Sequence, residues 1–403
     1  MESNSNSTIA PKKSLLDKIE GDKIVWVIAI MLALLSILVV YSASSSLAYR
    51  LAGGNTEKYL FAHILFVLAG LAMMFVAHKV NFVYYSRLSR LALIISAILL
   101  VLAWRYGISV SMASRWLEIP FLNRTFQPSD LAKIALIINL ASMIVKRQND
   151  LEEFNQAIIP MLIWCGVICG LIALTNWSTA TILFATCLLL FYVGRVPTRY
   201  IFWLLVVGAL AGAVALQYGQ RKGTVLSRID DFLDEENINP QIAQSFIAIS
   251  TGGFSGKGVG RSTQRNFLPL AHSDFIYAII VEEYGMLGAL FVIGLYLALL
   301  YRGMIIVSKT NHAFGALLAA GVVFMIVVQA FTHMAVVVGI FPVTGLPLPM
   351  VSMGGTSMIF TGLAFGVLLS VSRHIQAQED DLESYRFRRS GGSSNYVLKN
   401  RTD

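Results

Sequence analysis

Asp274, Glu282 and Glu283 stand in "LPLAHSDFIYAIIVEEYG", residues 268–285, an otherwise apolar stretch. A carboxylate so placed, beside outward cations, is what an acid–base reaction on a lipid-linked phosphate ester would need. Two readings apply to Asp274. It opens an apolar helix, where it can cap the N-terminus with help from the helix dipole, or it can be a reactive group at the helix's outer mouth. Glu282 lies eight residues on, about 12 Å along a straight helix and about 80° around it. Ionisable groups at that depth face a bundle interior or a cavity, so Glu282 and Glu283 either pair with buried cations and backbone or line the space below Asp274.

Three other stretches carry chemistry-bearing residues. In "STGGFSGKGVGRSTQ", residues 250–264, a phosphate-binding P-loop fails, because Thr251 holds the first glycine position and Gly258 follows Lys257. Its glycines suit a tightly folded loop, although backbone N–H groups there can still approach an anion. In "SRWLEIPFLNRTFQPSDLAK", residues 114–133, Trp116 suits a membrane interface, and Gln127-Pro128-Ser129-Asp130 reads as a helix start. Lys133, one turn in, either snorkels to the headgroups, pairs with Asp130, or serves a substrate. "FPVTGLPLPMVSMGGTSM", residues 341–358, is too apolar for a solvated loop and too broken by Pro and Gly for a helix. We expect it to be re-entrant, walling a cavity. Gln329 and His333, four apart on one face just upstream, read as hydrogen-bonding glue. No His/Cys spacing of a zinc site occurs.

The elements that must position these groups are set by composition. Of 403 residues, 56% are hydrophobic and 13% charged, about half the charged share of a soluble domain. Apolar runs near 24–45, 59–77, 90–107, 130–145, 158–174, 178–193, 200–217, 275–306, 314–334 and 355–373 are each long enough to cross a bilayer as a helix or nearly so. The expected fold is therefore an all-α polytopic membrane protein of about ten transmembrane helices. It has a long extracytoplasmic loop between spans 7 and 8 and a re-entrant segment before span 10. We divide it into a cytoplasmic tail at 1–22, a transmembrane domain at 23–373 and a second cytoplasmic tail at 374–403. Both tails are polar and read as mobile.

Orientation follows from Lys and Arg in the short joints: Lys79, Arg87 and Arg90; Lys146 and Arg147; Arg195 and Arg199; Arg302 and Lys309. Together with both tails they mark the cytoplasmic side of the membrane. Two outer joints are also basic, one with Arg115 and Arg124, the other with Arg221, Lys222, Arg228, Lys257, Arg261 and Arg265. Long loops cross regardless of charge, but a cationic outer surface also suits a lipid phosphate. Cys165, Cys169 and Cys187 fall inside spans and read as apolar filler with no disulfide framework.

Five stretches together resemble the SEDS proteins, the FtsW/RodA peptidoglycan glycosyltransferases of bacteria: "RWLEI…FQPSDLAK", "NWSTA", "QSFIAISTGGFSGKGVGRSTQ", "LPLAHSDFIYAIIVEEYG" and "FPVTGLPLPMVSMGGTS". The resemblance spans about residues 20–373 and implies polymerisation of lipid II on the outer face. It makes Asp274 the catalytic carboxylate. Arg115, Trp116, Lys133, Arg228, Lys257, Arg261, His272, Glu282, Glu283 and Ser352 become candidates for substrate binding. It also implies a class B penicillin-binding protein and other divisome proteins as partners, admits a divalent cation (Mg or Mn) as an aid, and suggests no nucleic-acid partner. "NWSTA" is more similar to the division branch than to the elongation branch. It departs from the family's usual "PD[LF]GTA", with Asn176 in place of an acid. Asp130 likewise replaces a Glu, Leu270 a Glu, and His333 an Asn. Two other readings stay open: a flippase for lipid-linked precursor, which would place key charges mid-span, and a scaffold indifferent to the Asp274 charge.

Overall fold

A computed structural model of the chain describes residues 20–51, 56–110, 113–119, 124–218, 227–228, 232 and 239–389. Eight helices are long and apolar enough to cross a membrane. They are α1 (Lys23–Leu51), α2 (Thr56–Lys79), α3 (Phe82–Tyr106), α4 (Pro128–Lys146), α5 (Ile159–Thr175), α9 (Ile276–Lys309), α10 (Ala313–Val337) and α11 (Thr356–Arg389). The fifth of these spans includes the turn before α5, from Phe154; α6 (Trp177–Val193) and α7 (Thr198–Tyr218), with shorter apolar lengths over Trp177–Val193 and Thr198–Leu210, complete the expected ten, and α8 (Pro240–Gly252) lies in the long joint between α7 and α9. The architecture is that of a polytopic α-helical membrane protein.

Local chemistry sets several boundaries. Asn81, Asn176 and Asn239 each accept a backbone N–H at the start of α3, α6 and α8. This gives Asn176 a structural duty, consistent with the loss of the acid usual at that position. Pro128 occupies the first turn of α4, followed by Asp130. Two features go beyond the sequence reading. The joint between α3 and α4 forms a small antiparallel sheet, β1 (Ile108–Val110), β2 (Ala113–Ile119) and β3 (Arg124–Phe126), in the order β1-β2-β3. The expected tail from 374 instead continues α11 as helix to Arg389.

Helices α4 and α10 are mostly buried and form the centre, while α2 and α3 show most of their surface to the surrounding lipid. Helix α11 packs against α2 through Gly362 and Gly366, four residues apart. A Cβ at Gly362 would lie 2.0 Å from the Gly70 carbonyl oxygen, and one at Gly366 2.5 Å from that of Met74. Backbones that close require small residues, the usual solution where lipid offers no hydrophobic drive for helix association.

One face collects the basic joints. Arg302 binds Asp22 at 2.5 Å, Arg373 pairs with Glu20 at 3.5 Å, and Tyr200 Oη donates to the Glu152 carbonyl at 3.0 Å. Phe82 sits among His312, Phe314 and His374. The start of α1 and the late part of α11 therefore share this terminal face, as alternating spans require.

Helix α9 is not one straight span. Gly285 adopts φ 67°, ψ −163°, and separates a short segment, 276–284, from a long one, 286–309. Tyr277 Oη reaches the Ala289 carbonyl at 3.4 Å, although a straight helix would hold these residues about 18 Å apart. The short segment therefore folds back along the long one. The break frees backbone groups, and the loop after α8 satisfies them. Lys257 and Gly258 N–H donate to the carbonyls of Glu282 and Glu283, while Met286 and Leu287 N–H donate to those of Gly253 and Phe254. Such a repair is what a buried helix break demands.

Candidate functional site

The fold-back of α9 carries Asp274 to the irregular segment 341–355. Side chains from three helices clamp that segment. His333 Nδ1 meets the Leu346 carbonyl at 2.7 Å, and Gln329 Nε2 donates to Pro347 at 2.9 Å. Tyr296 Oη donates to Pro349 at 2.5 Å, and Ser36 Oγ to Val351 at 2.6 Å. Ser36, its proton so engaged, accepts from His63 Nε2 at 2.7 Å. Leu346, Leu348, Met350, Val351 and Ser352 are buried. The segment is thus buried irregular backbone, as its Pro and Gly content implied, with its backbone polar groups satisfied by side chains of neighbouring helices. Gln329 and His333 are the glue their spacing suggested.

Ser352 joins this wall to the acid. Its Oγ accepts from Leu348 N–H at 2.8 Å and donates to the Ser273 carbonyl at 2.6 Å. Met353 N–H donates to the His272 carbonyl at 3.0 Å. Ser273 Oγ then donates to Asp274 Oδ1 at 2.7 Å. Asp274 does not cap α9: Phe275 holds the cap position and no side chain bonds there. Its carboxylate is half-buried, packed beside Gly345. Ser36, which bonds this wall, lies 13 residues into α1, about 20 Å from the terminal face. Asp274 therefore lies at the level of the wall segment that Ser36 bonds, beside Ser352 and Gly345.

Charge around Asp274 is basic. Arg228, half-buried, interacts with it electrostatically; burial pulls the guanidinium below its ordinary value and the Asp274 carboxylate pulls it back up. His272 is held below the usual imidazole range by burial, with Asp274 opposing. His333 is also within electrostatic reach. The His272 shift fixes a sign. Its neutral form is favoured in the folded state, so the stability it contributes is complete above about pH 6.5 and is lost as pH falls toward the folded value. Replacing His272 by Gln is expected to flatten part of the acid limb of thermal stability below about pH 6.5, as read by melting midpoints in detergent; an unchanged limb would show that His272 is not the source of that loss.

The other expected substrate contacts divide. Lys133 pairs with Asp130 at 2.9 Å and donates to Gln329 Oε1 at 3.3 Å, the ion-pair alternative, and so belongs to the bracing of the wall. Arg261 is exposed. Trp116 is half-buried opposite Ile108 in the sheet. The Arg115 side chain lies outside the described residues, as do Arg221 and Lys222.

Glu282, Glu283 and Lys257, expected as substrate contacts, are engaged with partners inside the protein. Glu282 is fully buried and its carboxylate is taken up by the loop after α8: Lys257 Nζ at 2.6 Å, Thr263 N at 3.0 Å and Oγ1 at 2.8 Å, Gln264 N at 3.2 Å, and Ser262 Oγ. Glu283 accepts from Ser42 Oγ on α1 and from Ser262 N at 3.3 Å, with Arg265 nearby. The two carboxylates lock loop 253–265 to the broken helix. Removing one partner of a buried pair is costly, so Lys257→Met is expected to lower stability by about 3 kcal/mol. Melting in detergent reads this, and an unchanged midpoint would return Lys257 to the list of substrate ligands. The signal for the lock was in the sequence, two acids directly before a glycine in an apolar run, but their partner loop was not identifiable from it.

Comparison with known proteins agrees with this architecture. Residues 22–377 match the model of the FtsW/RodA/SpoVE family, described as a cell cycle protein. A probable peptidoglycan glycosyltransferase FtsW from Geobacter sp. (strain M18) is 33% identical over 366 residues, covering 89% of this chain and 99% of that protein. Stage V sporulation protein E of Bacillus subtilis (strain 168) is 31% identical, covering 89% and 98%. In fold the chain is similar to the rod shape determining protein RodA of Thermus thermophilus, with TM-score 0.62 at 22% identity, covering 88% of this chain and 97% of that one. A chain of a peptidoglycan synthase complex gives TM-score 0.69 at 23% identity, covering 88% and 98%. The chain belongs to the FtsW/RodA/SpoVE family.

Proposed function

We propose that this chain is a peptidoglycan glycosyltransferase that polymerises lipid II, acting at the septum in cell division. The observation that carries the reading is Asp274, half-buried beside the 341–355 segment, oriented by Ser273 and Ser352 and within electrostatic reach of the cationic Arg228. Asp274 takes the proton from the acceptor sugar hydroxyl as its oxygen attacks the anomeric carbon of the donor. The bond from that carbon to the lipid diphosphate breaks, and Arg228 offsets the charge developing on the leaving group. The clamped 341–355 segment keeps the site rigid and excludes lipid. A divalent cation, Mg or Mn, would supply further stabilisation of the charge developing on the leaving diphosphate, with Asp274 the carboxylate placed to help hold it.

The terminal face, with its concentration of Lys and Arg, is the cytoplasmic side of the inner membrane, so the site lies toward the outer side. Relatives named FtsW support the septal role. A fold neighbour described within a complex that coordinates polymerization and crosslinking supports a class B penicillin-binding protein as partner. The broken α9 would also suit a translocator, but Asp130, Lys133, Arg228 and Asp274 gather toward the outer side, where a polymerase needs them. The test is incubation of purified protein with lipid II, with and without the cognate penicillin-binding protein, reading glycan length on gels. In parallel, lipid II movement between leaflets is read in proteoliposomes. Glycan product without translocation supports the polymerase; translocation without product overturns it.

A further inference from the structure

The three cysteines form a cluster away from Asp274. Cys165 and Cys169 lie one turn apart on α5, and Cys187 meets them from α6. Their Sγ atoms all lie within 4.8 Å of one another, and the residues are 0%, 9% and 0% exposed. Among the described residues no other group of His, Cys, Asp or Glu converges in this way. Cys169 also lines an apolar cavity of about 840 Å³ between α5, α6 and α7, bounded by Gly166, Gly170, Trp177, Phe184 and Trp203. Gly166 and Gly170 leave its α5 wall bare, since a Cβ at either would meet nothing within 4 Å. The triad is thus sealed on two thiols and reached on the third from an apolar space.

We propose that this triad is a binding site for a trivalent thiophilic metalloid of the arsenite class. A trivalent centre with a lone pair is pyramidal, and bound at about 2.3 Å to three thiolates it holds the sulfurs about 3.5 Å apart, so side-chain rotation must tighten the cluster by up to about 1.3 Å. Charge selects the ion. A divalent metal on three thiolates leaves one net negative charge in an apolar site, and burying an unpaired charge is prohibitive. None of the residues lining the cavity is cationic. A trivalent centre on three thiolates is neutral and incurs no such penalty. The step is balanced without oxidant or reductant: three As–O bonds of As(OH)3 break, three As–S bonds form, and each thiol proton leaves with a hydroxyl as water. The neutral hydroxide enters through the cavity, and the product ties α5 covalently to α6. This inference does not depend on the polymerase reading.

The full chain, reduced and purified in detergent, is treated with sodium arsenite or with zinc sulfate, desalted, and its bound element counted by plasma mass spectrometry. The expected result is one arsenic and no zinc per chain, with the arsenic lost in each of Cys165→Ala, Cys169→Ala and Cys187→Ala. X-ray absorption on the wild-type complex should give three sulfur neighbours and no oxygen, a readout independent of whether any variant folds. Substoichiometric arsenic, retention that survives one of the three substitutions, an oxygen in the arsenic shell, or equal retention of zinc would overturn the proposal.

Discussion

Asp274→Asn is expected to abolish detectable glycan polymerisation, lowering turnover by about 10²–10⁴-fold, the usual contribution of a positioned general base. The substitution is close to isosteric. The amide oxygen can still accept from Ser273 Oγ, and the Ser352–Ser273 backbone bond does not involve the replaced group. What is lost is the negative charge and with it the proton acceptor. The loss should therefore fall on turnover, with lipid II affinity held within a few-fold and the melting midpoint little changed. Binding of the penicillin-binding protein should also persist. Glycan made at the wild-type rate by a folded Asp274→Asn protein would remove Asp274 from the mechanism and favour a scaffold role.

Much of the architecture could be read from the chain because it depends on local quantities. Ten apolar runs require ten crossings, and Lys and Arg in alternate joints require that those joints share a face, as contacts such as Arg302 to Asp22 and Tyr200 to Glu152 bear out. The irregular wall at 341–355 was legible for the same reason, since its Pro and Gly cannot continue a helix. The break in α9 was not. Hydropathy over 275–306 is continuous, and Tyr284, Gly285 and Met286 interrupt nothing in the pattern; only the long-range pairing of this strip with residues 253–265 decides its shape. A straight span would leave its first residues at the end of the helix, whereas the folded-back segment brings Asp274 beside Ser352 and Gly345. Glu282 and Glu283 were correctly marked as unusual, but the identity of a buried carboxylate's partner depends on which distant loop arrives, and Lys257 and Ser262 arrive through tertiary packing. The helix pair α2–α11 held a plainer signal in Gly362 and Gly366, a small-residue repeat that a search for packing faces finds.

Gly285→Ala should be among the most damaging single-methyl changes in the chain. The conformation at φ 67°, ψ −163° belongs essentially to glycine, and a residue with a side chain held there costs about 1–3 kcal/mol. The added Cβ would also lie 2.4 Å from Gly256 N and 2.4 Å from the Phe254 carbonyl oxygen, both backbone atoms that cannot rotate away. Relief requires the loop to lift, which breaks the bonds from Lys257, Gly258, Met286 and Leu287 and uncovers Glu282. The sum should exceed about 4 kcal/mol, beyond the range of ordinary substitutions. The expected result is a large drop in melting midpoint with new proteolytic cleavage within 253–265. Polymerisation should be lost although Asp274 is intact, because the segment that carries Asp274 is held in its fold-back by the same loop. Gly170→Ala, whose new methyl meets nothing within 4 Å in α5, is the control and should leave stability unchanged or slightly raised. A Gly285→Ala protein as stable and as active as wild type would mean that the acid is positioned by the 341–355 wall alone. The dense carboxylate lock around Glu282 would then serve the loop and not the site.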